Sequence, residues 1–182
     1  MRKFALCTVL LLVGIPLFAG LSINATGGAE LLIHEGDIES EIYPVVGVTA
    51  NYSIPQMPIS VRAGVEYGWK PKTVTIEGDE YDINTTLITA LLALQYNIAI
   101  PGAPASFYIG GGPEIFMLNA DEVFVEGTKY SIDYNEVGAL VYAGGSVNIG
   151  TISLFAEAGF GMLFEEGAPK HVPVRGGIQI NL

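Results

Sequence analysis

Two histidines, four isolated glutamates and two isolated arginines are the residues of this 182-residue chain with most capacity for chemistry. Hydrolysis or acyl transfer needs a nucleophile beside a base. His34 has Glu35 next to it and Ser40 close by, while His171 stands just before Val172. Both histidines fall at the edges of polar segments, so they read as ordinary loop histidines, and no catalytic residue is assigned. Gly110-Gly111-Gly112 is not followed by phosphate-loop residues and reads as strand curvature or close packing. Three acidic clusters, Glu35/Asp37/Glu39/Glu41, Glu77/Asp79/Glu80/Asp82 and Asp121/Glu122/Glu126, carry carboxylates of the kind that hold divalent cations. Their spacing is not that of an EF-hand, and the plainer reading is a solvated, repulsive surface. No metal and no cofactor is expected.

The isolated charges behave differently. Of 19 acidic residues, only Glu30, Glu66, Glu114 and Glu157 stand in the middle of apolar-rich segments. Arg62 and Arg175 are their basic counterparts. All six fall on the face opposite the main apolar stripe of their segments. Such charges need pairing once they leave water. Arg175 is the expected hub, beside Glu157 and Glu30, with Arg62 pairing to Glu66 or Glu114. The formal net charge of −11 excludes nucleic acid as a partner, since little here could neutralise phosphates. The single cysteine, Cys7, lies in the N-terminal segment, so the remainder holds neither a disulfide nor a thiol.

The elements that must position these charges follow from periodicity. Arg2 and Lys3 precede an almost wholly apolar stretch from Phe4 to Phe18, then Ala19 and Gly20, the pattern of a secretory signal. Residues 1–20 are therefore expected to be a leader and 21–182 the folded domain. Mean hydropathy is +0.44, yet past residue 22 no apolar run is long enough for a membrane helix. Instead the chain alternates with period two. The last segment sets Val172, Val174, Ile178 and Ile180 against Arg175, Gly177, Gln179 and Asn181. An earlier one sets Ile59, Val61, Ala63, Val65, Tyr67 and Trp69 against Ser60, Arg62, Gly64, Glu66, Gly68 and Lys70. Eight such segments are expected, including 42–54, 84–99, 106–118 and 132–149. Connections alternate between short turns (Pro55–Pro58, Pro101–Ala105, Asn148–Thr151) and longer polar loops (His34–Glu41, Pro71–Asp82, Asn119–Ser131, Glu165–His171).

A face that is uniformly apolar on every strand needs lipid as its solvent. Tyr52, Tyr96 and Phe107 lie near the short turns, and Tyr67, Trp69 and Phe164 near the long loops, the places of two interfacial aromatic girdles. The fold expected is all-β, an eight-stranded antiparallel transmembrane up-and-down barrel. The terminus Arg175-Gly176-Gly177-Ile178-Gln179-Ile180-Asn181-Leu182 resembles the signal read by barrel-insertion machinery, through Arg175, Gly177, Ile180 and Leu182, although most bacterial examples end in Phe. With its strand count and loop asymmetry, the chain resembles the small OmpA/OmpX-like outer-membrane barrels. That resemblance implies a monomer in the bacterial outer membrane, with lipid and the insertion machinery as partners and no enzymatic activity. The expected role is structural, or the presentation of acidic loops to a surface partner, around a lumen plugged by charges. A narrow channel or transporter for small solutes or ions is the rival.

Overall fold

The computed structural model describes residues 20–34, 40–76, 79–120, 123–125, 128–130, 133–165 and 167–182. Eight long strands close into one antiparallel barrel. They are β1 (Leu21–Ile33), β2 (Glu41–Ser53), β3 (Ile59–Ile76), β4 (Asp79–Ala99), β5 (Ala105–Ala120), β8 (Asp133–Ile149), β9 (Ile152–Leu163) and β10 (Lys170–Asn181). A two-stranded ribbon, β6 (Val123–Val125) with β7 (Thr128–Tyr130), lies between β5 and β8 in the chain. Each barrel strand pairs with its neighbours in sequence, and β1 closes the ring on β10 from Ser22↔Asn181 to Ile33↔Lys170. Closure removes the unpaired edges that an open sheet would expose.

Short turns are built where backbone geometry demands it. Ile54 N–H donates to Ile59 O at 2.9 Å around Gln56, whose φ of 65° is left-handed. The turn after Ile100 contains Gly102 with φ 78°, and that between β8 and β9 contains Gly150 with φ 69°. Asn181 and Leu182, at the chain's end, bond to Thr151 and Leu21 on this same rim.

Alternation decides which way each side chain points. Even-numbered residues of β1, β3, β5 and β8 enter the lumen, as do odd-numbered residues of β2, β4, β9 and β10. The other face is exposed and apolar on all eight strands. Ile23, Val48, Val65, Leu94, Ile109, Val141, Leu154 and Ile178 stand on it, one from each strand. Soluble monomers rarely expose contiguous apolar patches beyond a few hundred Å², so this continuous band fits a hydrocarbon solvent.

Three boundaries differ from the sequence reading. The sequence predicts a loop over Pro71–Asp82, but β3 and β4 continue as a paired ribbon to Ile76↔Asp79. The β-branched run Thr73-Val74-Thr75-Ile76 favours extension, and Thr73 Oγ1 donates to Asp82 Oδ1 at 2.8 Å. Part of Asn119–Ser131, also expected as a loop, forms the β6–β7 ribbon. The last strand starts at Lys170 rather than Val172, which places His171 inside the barrel wall.

A charge on the outer face tests its solvent. Val141, 61% exposed at the middle of β8, replaced by Arg should lose about 2–4 kcal/mol of folding free energy in a bilayer. Reversible unfolding from lipid vesicles measures this, and an unchanged free energy would mean that the face does not meet hydrocarbon.

Candidate functional site: the lumen

Eight strands enclose a space that side chains alone can fill. Here the filling falls into three layers along the barrel. In the central layer, Glu30, Arg62, Glu66, Glu114, Glu157, His171 and Arg175 are all buried. Arg62 spans the lumen to grip Glu157 with both terminal nitrogens, Nη1 to Oε2 at 2.6 Å and Nη2 to Oε1 at 2.9 Å. This fork-to-fork geometry is the strongest form an arginine–carboxylate pair takes. The Tyr108 hydroxyl donates to the same Glu157 Oε2 at 2.9 Å. The Arg62 guanidinium also lies 4.9 Å from the centre of the Tyr142 ring.

Arg175 reaches three carboxylates, Glu66 at 2.7 Å, Glu157 at 3.5 Å and Glu30 at 3.7 Å. Its strand neighbours bring them close, since Arg175 pairs with Glu157 across β9 and with Gly28 across β1, one inward step from Glu30. The expected pairing of Arg62 with Glu66 or Glu114 is corrected. Arg62 bonds Glu157 on the far wall, Glu66 turns to Arg175, and Glu114 turns to His171.

His171 is the residue that sequence reasoning misplaced. It is no loop histidine, but lies 1% exposed between Glu30 and Glu114. Its Nδ1 meets Glu30 Oε1, and its Nε2 stands 2.6 Å from Glu114 Oε1. Two arginines and one histidine thus face four carboxyl groups in this layer. The seat for the ring is Gly161, its direct cross-strand partner. A Cβ at Gly161 would overlap the imidazole itself. The signal was present in the sequence, because alternation puts His171 on the same face as Pro173 and Arg175.

Toward the long loops, a layer of apolar side chains packs inside the barrel. Leu32, Tyr43, Val45, Leu87, Phe116 and Leu163 form one buried cluster, and the Phe116 ring lies 5.5 Å from that of His171. At the loop-side rim above it, Lys72 Nζ donates to Glu41 Oε1 at 2.5 Å, and Tyr43 donates to Glu41 Oε2 at 3.0 Å. Burial pushes the Glu41 carboxyl up, but these bonds and the charges of Lys72 and Lys70 outweigh it and hold it below the ordinary carboxylate value. Toward the short turns lies a chamber of about 230 Å³, walled largely by Ser, Asn and Gln.

The remaining sequence candidates sit on the outer surface or beyond the described residues. Tyr96 and Phe107 are exposed near the short turns and Tyr52 is half-buried there; Tyr67, Trp69 and Phe164 are exposed toward the loops. Tyr67 and Trp69 stack at 6.1 Å. Arg175 and Gly177 face the lumen, whereas Ile180 and Leu182 face outward. His34 follows the end of β1 and is not in the ion-pair layer. The cluster members Glu35, Asp37, Glu39, Glu77, Asp121, Glu122 and Glu126 lie outside the described residues, as do residues 1–19 of the expected leader. Glu30 and Glu114 stand on opposite sides of the imidazole and do not converge on a point. Among the described residues, no group of three His, Cys, Asp or Glu side chains could hold a metal ion.

This architecture has solved counterparts. Neisserial surface protein A superposes with a TM-score of 0.62 at 14% identity, over 90% of this chain and 97% of that one. A major outer membrane protein from Thermus thermophilus gives 0.60 at 13%, over 89% and 99%. Ail, the attachment invasion locus protein of Yersinia pestis, solved with the heparin analogue sucrose octasulfate, gives 0.58 at 11%, over 88% and 96%. The fold is OmpA/OmpX-like. No family model matches the sequence, and no curated protein matches it either. At these identities the likeness is one of fold, and the lumen layers stand on this chain's own geometry.

The His171 seat is testable at its tightest point. Gly161→Ala forces the ring away from Glu114 and should cost about 1–3 kcal/mol, the usual penalty for overpacking. It should also move the His171 ring-nitrogen resonances in solution NMR. Unchanged stability and resonances would mean that His171 does not occupy this seat.

Proposed function

We propose that the chain is an integral protein of the bacterial outer membrane that acts as a plugged barrel, stabilising the envelope or presenting its acidic loops to a surface partner. The observation that carries this reading is the closure of the lumen. Between Arg62, Glu66, Glu114 and Arg175 only about 10 Å³ of free space remains, roughly enough for a single water. An apolar layer then occupies the lumen on the loop side. An ion crossing it would lose its hydration against Leu32, Leu87 and Phe116 with nothing in return.

Three further features support the location. The outer face suits lipid, the exposed Tyr67, Trp69, Tyr96, Phe107 and Phe164 suit the two interfaces with Tyr52 beside them, and the outward Ile180 and Leu182 with inward Arg175 and Gly177 suit an insertion signal. The solved counterparts described above include a major outer membrane protein. No residue is assigned a catalytic role, and no cofactor is invoked. A monomer is the expected state, since the barrel leaves no strand edge for a second copy to extend. With a net charge of −11, a loop-binding partner would present a basic surface.

Planar-bilayer recording on the purified barrel separates this reading from a narrow channel or transporter for small solutes or ions. The plugged barrel should give no stable conductance steps across the physiological voltage range. Reproducible multi-state conductance would mean that the ion pairs part, and would favour the channel.

A further inference from the structure

The outer wall of the barrel is not smooth. We propose that two adjoining depressions on its short-turn half hold one phospholipid, with an acyl chain on either side of Val141 and the ester region beside Tyr96.

The depressions arise where small residues stand among large ones. Leu94, Gly111 and Val141 form one cross-strand row over β4, β5 and β8. Gly111 has no side chain, so a gap opens between two apolar side chains that are each more than half exposed. Ile59, Tyr96 and Ile109 carry its walls toward the short turns, and the groove encloses about 510 Å³. On the other side of Val141, Ala143 pairs with Ala158 next to the Val141↔Phe160 pair. The low floor there leaves a second depression of about 360 Å³. Both volumes fall in the range of small-molecule sites, roughly 300–1,000 Å³.

The occupant follows from what the wall meets. Both depressions open onto the apolar band and are continuous with it, so hydrocarbon is the medium that fills them. No water drives association there, and packing alone decides it. An empty notch forfeits dispersion contacts along its floor. A flexible methylene chain reaches that floor, whereas the convex wall of a second barrel would rest on the flanking Leu94, Val141 and Phe160. Tyr96 sets the direction of the lipid. It is exposed near the short turns, and its hydroxyl makes no hydrogen bond to any described residue. Aromatic rings at this level meet the headgroup region, so the hydroxyl is placed to donate to an ester carbonyl while the chains run toward the middle of the wall. Residues 54–58, 100–105 and 148–151, which form the short turns, include no charged side chain. With no cation there to grip a phosphate, the site reads the two chains and not the headgroup.

Native mass spectrometry tests this on the full barrel, released from a short-tailed detergent after titration with phosphatidylethanolamine, phosphatidylglycerol or lysophosphatidylethanolamine. One diacyl lipid per barrel is expected, bound equally with either headgroup, and the single-chain lipid should bind about tenfold more weakly. Gly111→Leu fills the first depression and should weaken diacyl binding by about tenfold. Gly27→Leu lies across the barrel on β1, where an added Cβ meets nothing within 4 Å, and should leave binding unchanged. A Cβ at position 111 would stand 2.9 Å from Leu140 O; should that variant not fold, Leu94→Trp covers the same gap from β4. Heat-modifiable migration on gels establishes that each variant is folded. Absence of a retained lipid would overturn the proposal, as would equal binding by the gap-filling variants and Gly27→Leu. A preference for one headgroup, or single-chain binding as tight as diacyl binding, would overturn it too. A dimer that Gly111→Leu disperses would assign the groove to a second copy of the chain instead.

Discussion

The structure depends on the need to neutralise carboxylates buried inside a barrel whose outside is apolar. Glu30, Glu66, Glu114 and Glu157 are each no more than 5% exposed. Left ionised and alone, any one would cost several kcal/mol. Strand alternation gathers Arg62, Arg175 and His171 into the same layer, so every carboxylate faces an arginine or a ring nitrogen of His171. The pairs cross the lumen rather than running along one strand: Arg62 on β3 holds Glu157 on β9, and Arg175 on β10 holds Glu66 on β3. Each such bond ties together strands that are not neighbours in the sheet. The layer thus supports the closed ring that backbone pairing alone defines.

That layer fits only because the wall thins where the large polar groups need room. Gly161 accepts the His171 ring, and Gly110 and Gly144 lie against the Tyr142 and Tyr108 rings. These three glycines are paired with the aromatic and ionic side chains they accommodate. On either side of the ion-pair layer the lumen changes character, to apolar packing below the loops and to amide and hydroxyl walls above the short turns.

Much of this was legible in the sequence, for a plain reason. A period of two assigns every strand residue to a face once one residue is placed, so the inward set of Glu30, Arg62, Glu66, Glu114, Glu157 and Arg175 could be read directly. Arg175 as a hub near Glu157 and Glu30 followed from hairpin neighbourhood. The partner of Arg62 was not legible, because a contact across the lumen depends on strand stagger, which alternation does not encode. His171 was missed through a boundary set two residues late, beside a polar segment that looked like loop. The apolar inner layer was hidden for a related reason: Leu32 and Phe116 lie on the polar face of their strands, where apolar residues do not announce a core. The ribbon of β3 and β4 past Pro71 escaped because proline and acidic residues read as turn.

The central claim is that the buried charges are bound to one another and that the barrel depends on their pairing. A double-mutant cycle on Arg175 and Glu66, 2.7 Å apart, tests it most directly, by reversible unfolding of Arg175→Met, Glu66→Gln and the double variant. Arg175→Met alone should lose about 3–5 kcal/mol, because it strands buried carboxylates. Adding Glu66→Gln should recover part of that loss, giving a coupling above about 1 kcal/mol. Single-variant losses that add to within about 0.5 kcal/mol would show the two groups to be independent and would contradict the account.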